Sequence, residues 1–208
     1  ILDHVEVEEK RVQVNLTQSW ALSRKVNLQT SLGAEYSDIH VVSEAPPSRN
    51  FFRPKGFISA SYAASPKYTW RAKLERSVGQ LDFDTFVSTV NLSENTENEG
   101  NDNIVPDQRG RAELQLERKD QTGVSGSLRG YIEHVDDPID RIIVQIGTDG
   151  VILEGPGNLE TALVYGLNTN LTWVLDGFGL SGMRLEGFGN LSDSVIEDPL
   201  TRQDRAIN

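Results

Sequence analysis

The chain has 208 residues, with 31 acidic side chains against 20 basic ones, a net charge of −11 and an isoelectric point near 4.7. That balance argues against a nucleic-acid partner, because phosphate binding wants a basic surface. There is no cysteine, which excludes a disulfide framework and a thiolate metal site, and no apolar run reaches the roughly 18–20 residues of a membrane helix. A β-barrel crosses a bilayer on strands that are only half apolar, so a membrane remains open. The chain opens without Met or a signal peptide, and strand-like text follows soon after residue 1. This suggests a piece of a longer protein.

Residues 1–10 are mixed. From Arg11 to Leu22 the text alternates: Val12, Val14, Leu16, Trp20 and Leu22 share one face, with Gln18 as an exception, and Arg11, Gln13, Asn15, Thr17 and Ser19 share the other. Period-two alternation predicts a strand with one apolar face. After a turn at Ser23-Arg24-Lys25, Val26, Leu28, Leu32, Ala34 and Tyr36 define a second strand. A long connection is expected from about Ser37 to Lys55, containing Phe51 and Phe52. The stretch from Gly56 to Gln80 then reads as a hairpin closed at Ser65-Pro66-Lys67. Ile58, Ala60, Tyr62, Tyr68, Trp70, Ala72 and Leu74 form its apolar face, and Arg71, Lys73 and Glu75 its charged one.

A second long connection follows from about Leu81 to Gln108, too polar and Asn/Gly-rich for a core element. Arg109–Arg118 alternates Ala112, Leu114 and Leu116 against Arg109, Arg111, Glu113 and Glu117. Val124–His134 sets Leu128 and Ile132 against Arg129 and Glu133. A third long connection, from about Val135 to Glu160, holds an apolar piece at 142–146 that reads as a small strand. Thr161–Leu175 places Leu163, Tyr165, Leu167, Leu171 and Trp173 on one face. After a turn at Asp176–Gly179, a weaker Gly-rich strand from Leu180 to about Ser192 carries Arg184 and Glu186 opposite Met183, Leu185 and Leu191, and Phe188 breaks its pattern.

Connections thus run short and long in strict alternation. In an antiparallel meander, short turns then fall at one end and long loops at the other, as in outer-membrane barrels. Soluble sandwiches spread loop lengths over both ends. Trp20, Trp70 and Trp173 all lie on apolar faces close to short turns, which predicts an interfacial aromatic level, with Tyr36 and Tyr165 near a second level. Arg71, Lys73, Glu75, Arg109, Arg111, Glu113, Arg129 and Glu133 are expected to face a lumen and to pair across strands.

No enzyme constellation is visible. His4, His40 and His134 lack metal spacing, no nucleophile elbow is present, and the glycines do not follow a strand into a helix. The sequons at Asn15, Asn91, Asn170 and Asn190 fall mostly in predicted strands, so chance accounts for them. Glu94, Glu97, Glu99, Asp102 and Asp107 could supply oxygen ligands for calcium but have no EF-hand spacing. Phe51, Phe52 and Phe86 are candidates for apolar ligand contacts on long loops above a rigid scaffold.

The text GQLDF at 79–83, an Asn/Gly-rich loop, and NIVPDQ at 103–108 opening a charged strand resemble the barrel of a TonB-dependent outer-membrane receptor. ASPKYTWRAKLERSVGQL at 64–81 and YGLNTNLTWVLDGFGLSGMRL at 165–185 are similar to its strand–turn–strand text. The resemblance implies a barrel of roughly twenty-two strands, closed by a plug and importing a scarce nutrient with energy from an inner-membrane partner. No plug-like domain or box for that partner is apparent in this chain. The expectation is therefore an all-β, antiparallel up-and-down meander of about eight strands. Residues 1–208 would form a partial barrel segment of a larger receptor, without a second domain, cofactor or enzymatic activity. Expected partners are outer-membrane lipid of a Gram-negative cell, a plug and a TonB-type energising protein through the parent receptor, and a small-molecule nutrient such as a siderophore or saccharide. An isolated segment would leave two sheet edges unpaired and is expected to self-associate. The competing expectation is a soluble β-sandwich-like ligand-binding module.

Overall fold

The computed structural model describes residues 6–42, 48–81, 89–91, 96–98, 101, 104–120, 123–146, 152–198 and 202–207. In chain order the strands are β1 (Glu6–Ala21), β2 (Val26–Val42), β3 (Ser48–Ala63), β4 (Tyr68–Val78), β5 (Thr89–Asn91), β6 (Thr96–Asn98), β7 (Gln108–Arg118), β8 (Val124–Asp136), β9 (Ile139–Ile146), β10 (Ile152–Asn158), β11 (Thr161–Val174), β12 (Arg184–Glu197) and β13 (Asp204–Arg205). Nine of them form one antiparallel up-and-down sheet in the order β1-β2-β3-β4-β7-β8-β11-β12-β13. The other four make a small second sheet, β5-β6-β10-β9, built from the two longest connections.

The first two tight turns share one chemical device. The Ser23 hydroxyl accepts the N–H groups of Lys25 and Val26 at 3.2 and 3.1 Å. Ser65 does the same for Lys67 and Tyr68, both at 3.2 Å. A serine that satisfies two turn amides fixes the register of the following strand. Lys67 then reaches Asp120 at 2.7 Å and ties the second turn to the third. The turn after β11 is wider: Asp176 accepts the Gly182 N–H at 2.7 Å, and Gly179 and Gly182 both sit at φ 77°, where a side chain would be strained.

Register places the expected faces as the alternation predicts. Val12 pairs with Tyr36, Val14 with Ala34, Leu16 with Leu32 and Trp20 with Leu28. Gln18, the polar exception, pairs with Thr30. The two faces differ in exposure. Outward Leu16 and Leu32 are each 73% exposed. On the other face the Glu133 side chain is 8% exposed and that of Glu113 14%. Charged groups less accessible than leucines mean that the sheet curves with its charged face concave. From Val12 to Trp20 the outward band rises roughly 21 Å, at about 3.4 Å per residue and a tilt near 40°, close to the apolar height of an outer-membrane barrel.

The expected long connection from Ser37 to Lys55 is corrected. β2 runs to Val42 and β3 begins at Ser48, paired from Ser37↔Phe51 to His40↔Ser48. The alternation is hidden there because it inverts. Below Tyr36 the outward residues are mostly apolar; above it, Asp38 and Asn50 point outward while Ile39 and Phe51 point inward. The expected strand at 142–146 is present as part of β9.

The buried core sits at this long-connection end, on the concave side. Ile39, Leu81 and Ile104 cluster with Phe51 and Ile139. Val135, Leu159, Ala162 and Ile196 cluster with Ile142, Val164 and Ile207. Polar clamps hold the connections over these clusters. The Asn158 amide donates to Val105 O at 2.8 Å and Asp137 O at 2.7 Å and accepts the Val105 N–H at 2.7 Å. Arg205 donates to Asp140 at 2.6 Å and Asp198 at 3.2 Å, anchoring β13 beside the start of β9. The hydrogen bond from Arg205 to Asp140 outweighs burial and raises the guanidinium pKa above its ordinary value.

Ile104 is 1% exposed, so Ile104→Ala should cost about 3 kcal/mol through lost burial and the cavity left behind. Hydrogen exchange should accelerate at residues 104–107 and leave the Ser23 and Ser65 hairpins unchanged. Unaltered exchange at 104–107 would show that this cluster does not hold the connection.

Candidate functional site

The eight residues expected to face a lumen lie on one concave wall formed by β4, β7 and β8. Register sets Glu75 against Arg111, Lys73 against Glu113 and Arg71 against Gln115. It sets Arg111 against Glu133 and Gln115 against Arg129. The side chains close into an ionic lattice. Arg111 reaches Glu113 at 3.0 Å and Glu133 at 3.4 Å, and its guanidinium stacks 3.9 Å from the centre of the Tyr131 ring. Arg109 meets Glu133 at 3.2 Å and also engages Asp107. Arg129 approaches Glu113 at 3.8 Å. Lys73 pairs with Glu75 at 2.7 Å and lies 5.1 Å from the Phe57 ring. Arg71 and Lys119 share Glu117, each at 3.2 Å.

Most of the carboxylates are more buried than their partners: the Asp107 side chain is 7% exposed and the Arg109 side chain 47%, although Lys73 and Glu75 are equally exposed. A sequestered carboxylate is tolerated when cations and hydrogen bonds surround it. The basic groups Arg71, Lys73, Arg109, Arg111 and Arg129 are matched by Glu75, Glu113, Glu117, Glu133 and Asp107. The wall is close to neutral and internally satisfied.

A second group was not singled out in the sequence. Glu35, buried on β2, receives Lys55 at 2.7 Å and Arg11 at 3.7 Å. Buried Arg53 lies with its guanidinium 4.3 Å from the centre of the Phe51 ring. Charges on neighbouring strands were the available signal, but Arg53 and Lys55 fell in the supposed loop. Asn158 left no signal, because a single asparagine after Gly155-Pro156-Gly157 reads only as a turn.

The tryptophans stand on the outward face near the tight turns. Trp20 and Trp70 are 40% and 41% exposed. Trp173, one residue before the end of β11, packs edge-on to Phe178 with ring centres 5.5 Å apart. Tyr36 and Tyr165 lie toward the other end, donating to Asn50 at 3.1 Å and Asp193 at 3.3 Å.

The candidate loop contacts do not form one site. Phe51 and Phe52 are on β3, facing opposite sides: Phe51 packs inward against the Ile39 cluster, and Phe52 points outward, 72% exposed, opposite Tyr36. Phe86 lies outside the described residues, as do Glu94, Glu99 and Asp102 of the possible calcium set. Asp107 is engaged by Arg109. Among the described residues no group of three His, Asp or Glu could hold a metal ion.

No protein-family model and no curated protein matches the sequence. Solved structures do match in fold. A copper transporter, OprC, superposes with a TM-score of 0.74 at 15% identity over 97% of this chain and 30% of its own. The ferric-catecholate import receptor Fiu from E. coli K12 gives 0.64 at 8% identity over 93% and 29%. The siderophore receptor PirA from Pseudomonas aeruginosa gives 0.55 at 13% identity over 92% and 45%. The chain has the fold of a stretch of the barrel in TonB-dependent outer-membrane receptors and spans less than half of the length of each of these proteins.

Replacing Glu133 by Ala strips Arg109 and Arg111 of a shared acceptor, and we expect a loss of about 2 kcal/mol. In a double-mutant cycle with Arg111→Met, measured by urea unfolding of the refolded protein, the two changes should couple. Strict additivity would show that the lattice does not act as a unit.

Proposed function

We propose that this chain is barrel wall of a TonB-dependent receptor in the outer membrane of a Gram-negative bacterium, serving nutrient uptake by its parent protein. The observation that carries the reading is the outward apolar band, left without protein cover on a wall whose concave face holds paired charges. The likeness in fold to a copper transporter, a siderophore receptor and a ferric-catecholate import receptor supports it. In this reading the lattice on β4, β7 and β8 lines the interior against a plug. The connections clamped by Asn158 form part of the external mouth, and lipid covers Leu16, Leu32, Leu74 and Leu114. A TonB-type protein would act through the parent receptor. The substrate class is a small nutrient, a siderophore, a saccharide or another scarce compound, and no catalytic role is assigned. A soluble sandwich would need a second layer over the outward leucines, and none exists among the described residues.

Leu114 and Gln115 are adjacent on β7 and face opposite sides. Leu114→Arg puts a charge in the apolar band and should destabilise the membrane-inserted protein by about 2–4 kcal/mol, whereas Gln115→Glu, set between Arg71 and Arg129, should be tolerated. Both are measured by unfolding of the full-length protein in lipid vesicles. Equal tolerance of the two, or recovery of the protein in the soluble cell fraction, would sink the reading.

The sheet ends on β1, whose residues from Glu6 to Ala21 pair on one side only, and on the short β13. Expressed alone, the chain should associate through these edges and the bare apolar face. Size-exclusion chromatography with light scattering in detergent-free buffer should show multimers. A monodisperse monomer would speak against a lipid-facing surface.

A further inference from the structure

One register row crosses the outward face as Leu32, Gly56, Arg76, Gly110, His134 and Leu163. Arg76 therefore stands on the side read above as lipid-facing, with a glycine on each neighbouring strand. Where those side chains are missing, a groove of about 870 Å³ opens, walled by Leu32, Ile58, Leu74, Ala112, Ile132 and Leu163. The two glycines have different reasons to be there. A Cβ at Gly56 would lie 2.2 Å from the Ser31 carbonyl oxygen, so close backbone approach demands glycine. A Cβ at Gly110 would meet nothing within 4 Å. Packing within the chain does not require that gap, which leaves the floor of the groove open to an external occupant.

The charge at its rim says what the occupant carries. Arg76 donates to Gln108 Oε1 at 2.6 Å, and among the described residues no carboxylate pairs with it. A guanidinium has five N–H donors in a planar fork suited to phosphate, so most of its capacity is unspent. His134 lies two strands away in the same row, roughly 10 Å at about 4.8 Å per strand, with its Nε2 3.1 Å from Asp136. The adjacent row toward the tight turns is Ile58, Leu74, Ala112 and Ile132. The adjacent row toward the long connections brings Gln108 against Asp136. Arg76 thus sits where the outward face changes from apolar to polar, the height of lipid headgroups.

We propose that this groove binds a lipid with a net-anionic phosphate headgroup, the phosphate on Arg76 and an acyl chain laid over Gly110. The proposal rests on the membrane-wall reading above. A lone cation facing hydrocarbon is costly, and an anionic headgroup offsets that cost while the chain fills a floor that no residue of the protein covers.

The test uses the full-length protein, purified from the membrane fraction in mild detergent and titrated by native mass spectrometry. Phosphatidylglycerol is compared with phosphatidylcholine of the same acyl chains, and with inorganic phosphate as competitor. The expected result is a preference for phosphatidylglycerol that Arg76→Gln reduces roughly tenfold, the worth of one charge-assisted hydrogen bond. Arg76→Lys should restore most of it. Gly110→Leu should weaken both lipids by filling the floor, and inorganic phosphate should compete poorly. Equal binding of the two lipids, indifference to Arg76→Gln, indifference to Gly110→Leu, or full displacement by inorganic phosphate would each overturn the site. Each of these would come from a protein already recovered from the membrane, so the barrel reading would stand. A protein absent from that fraction would overturn both.

Discussion

Leu16, Leu32, Leu74 and Leu114 stand in one outward band with more than half of their surface exposed, and the rest of the wall is arranged around that fact. A soluble sheet buries its apolar face against a second layer, and burial of that area drives folding. In the membrane-wall reading proposed above, the hydrocarbon phase supplies the second layer. Backbone polar groups in such a phase must be satisfied internally, which explains why the central strands pair along their length in unbroken antiparallel register. The concave side then faces water and can hold full charges. Because it curves inward, those charges crowd together, and pairing is the condition for keeping them there.

The polarity of the two faces reverses at the loopward rim. On β8, Ile132 points outward and Glu133 inward; two residues on, His134 points outward and Val135 is buried inward. On β2, Tyr36 and Glu35 give way to Asp38 and Ile39. On β12, outward Leu191 is followed by outward Asp193, and inward Ile196 is buried. One solvent boundary acting on several strands accounts for this. Below it the apolar side must be outside. Above it both sides meet water, and the chain buries apolar groups inward under its own connections. The two small clusters at the mouth are the consequence.

This reversal also explains what could be read from the sequence. The stretches that lie below the boundary, such as 68–75 of β4 and 109–117 of β7, show clean alternation, and their tight turns stand out through Ser65-Pro66-Lys67 and the polar text after Arg118. The faces of Arg71, Lys73, Arg111, Glu113 and Glu133 follow from period two alone. The upper parts of β2 and β3 were illegible because Asp38-Ile39 and Asn50-Phe51 alternate in the opposite phase, so the summed pattern cancels and reads as a loop. The pairing of Glu35 with Lys55, the stacking of Arg53 on Phe51 and the triple role of Asn158 depend on which strands become neighbours. No local spacing encodes that.

The mouth built by these contacts is stiffer than connections of such polar composition suggest. Asn158 bonds backbone groups from two different connections, so displacing either one breaks hydrogen bonds held by the other. Asn101 adds a bond to Pro156 O at 3.0 Å, and Arg205 fastens the end of the chain to Asp140. Ordering a free loop on binding costs conformational entropy, and a framework already clamped has less of it to lose. The clamps therefore place the ordering cost in folding. A wall fixed below by an ionic lattice and above by shared amides holds its paired cations at set positions.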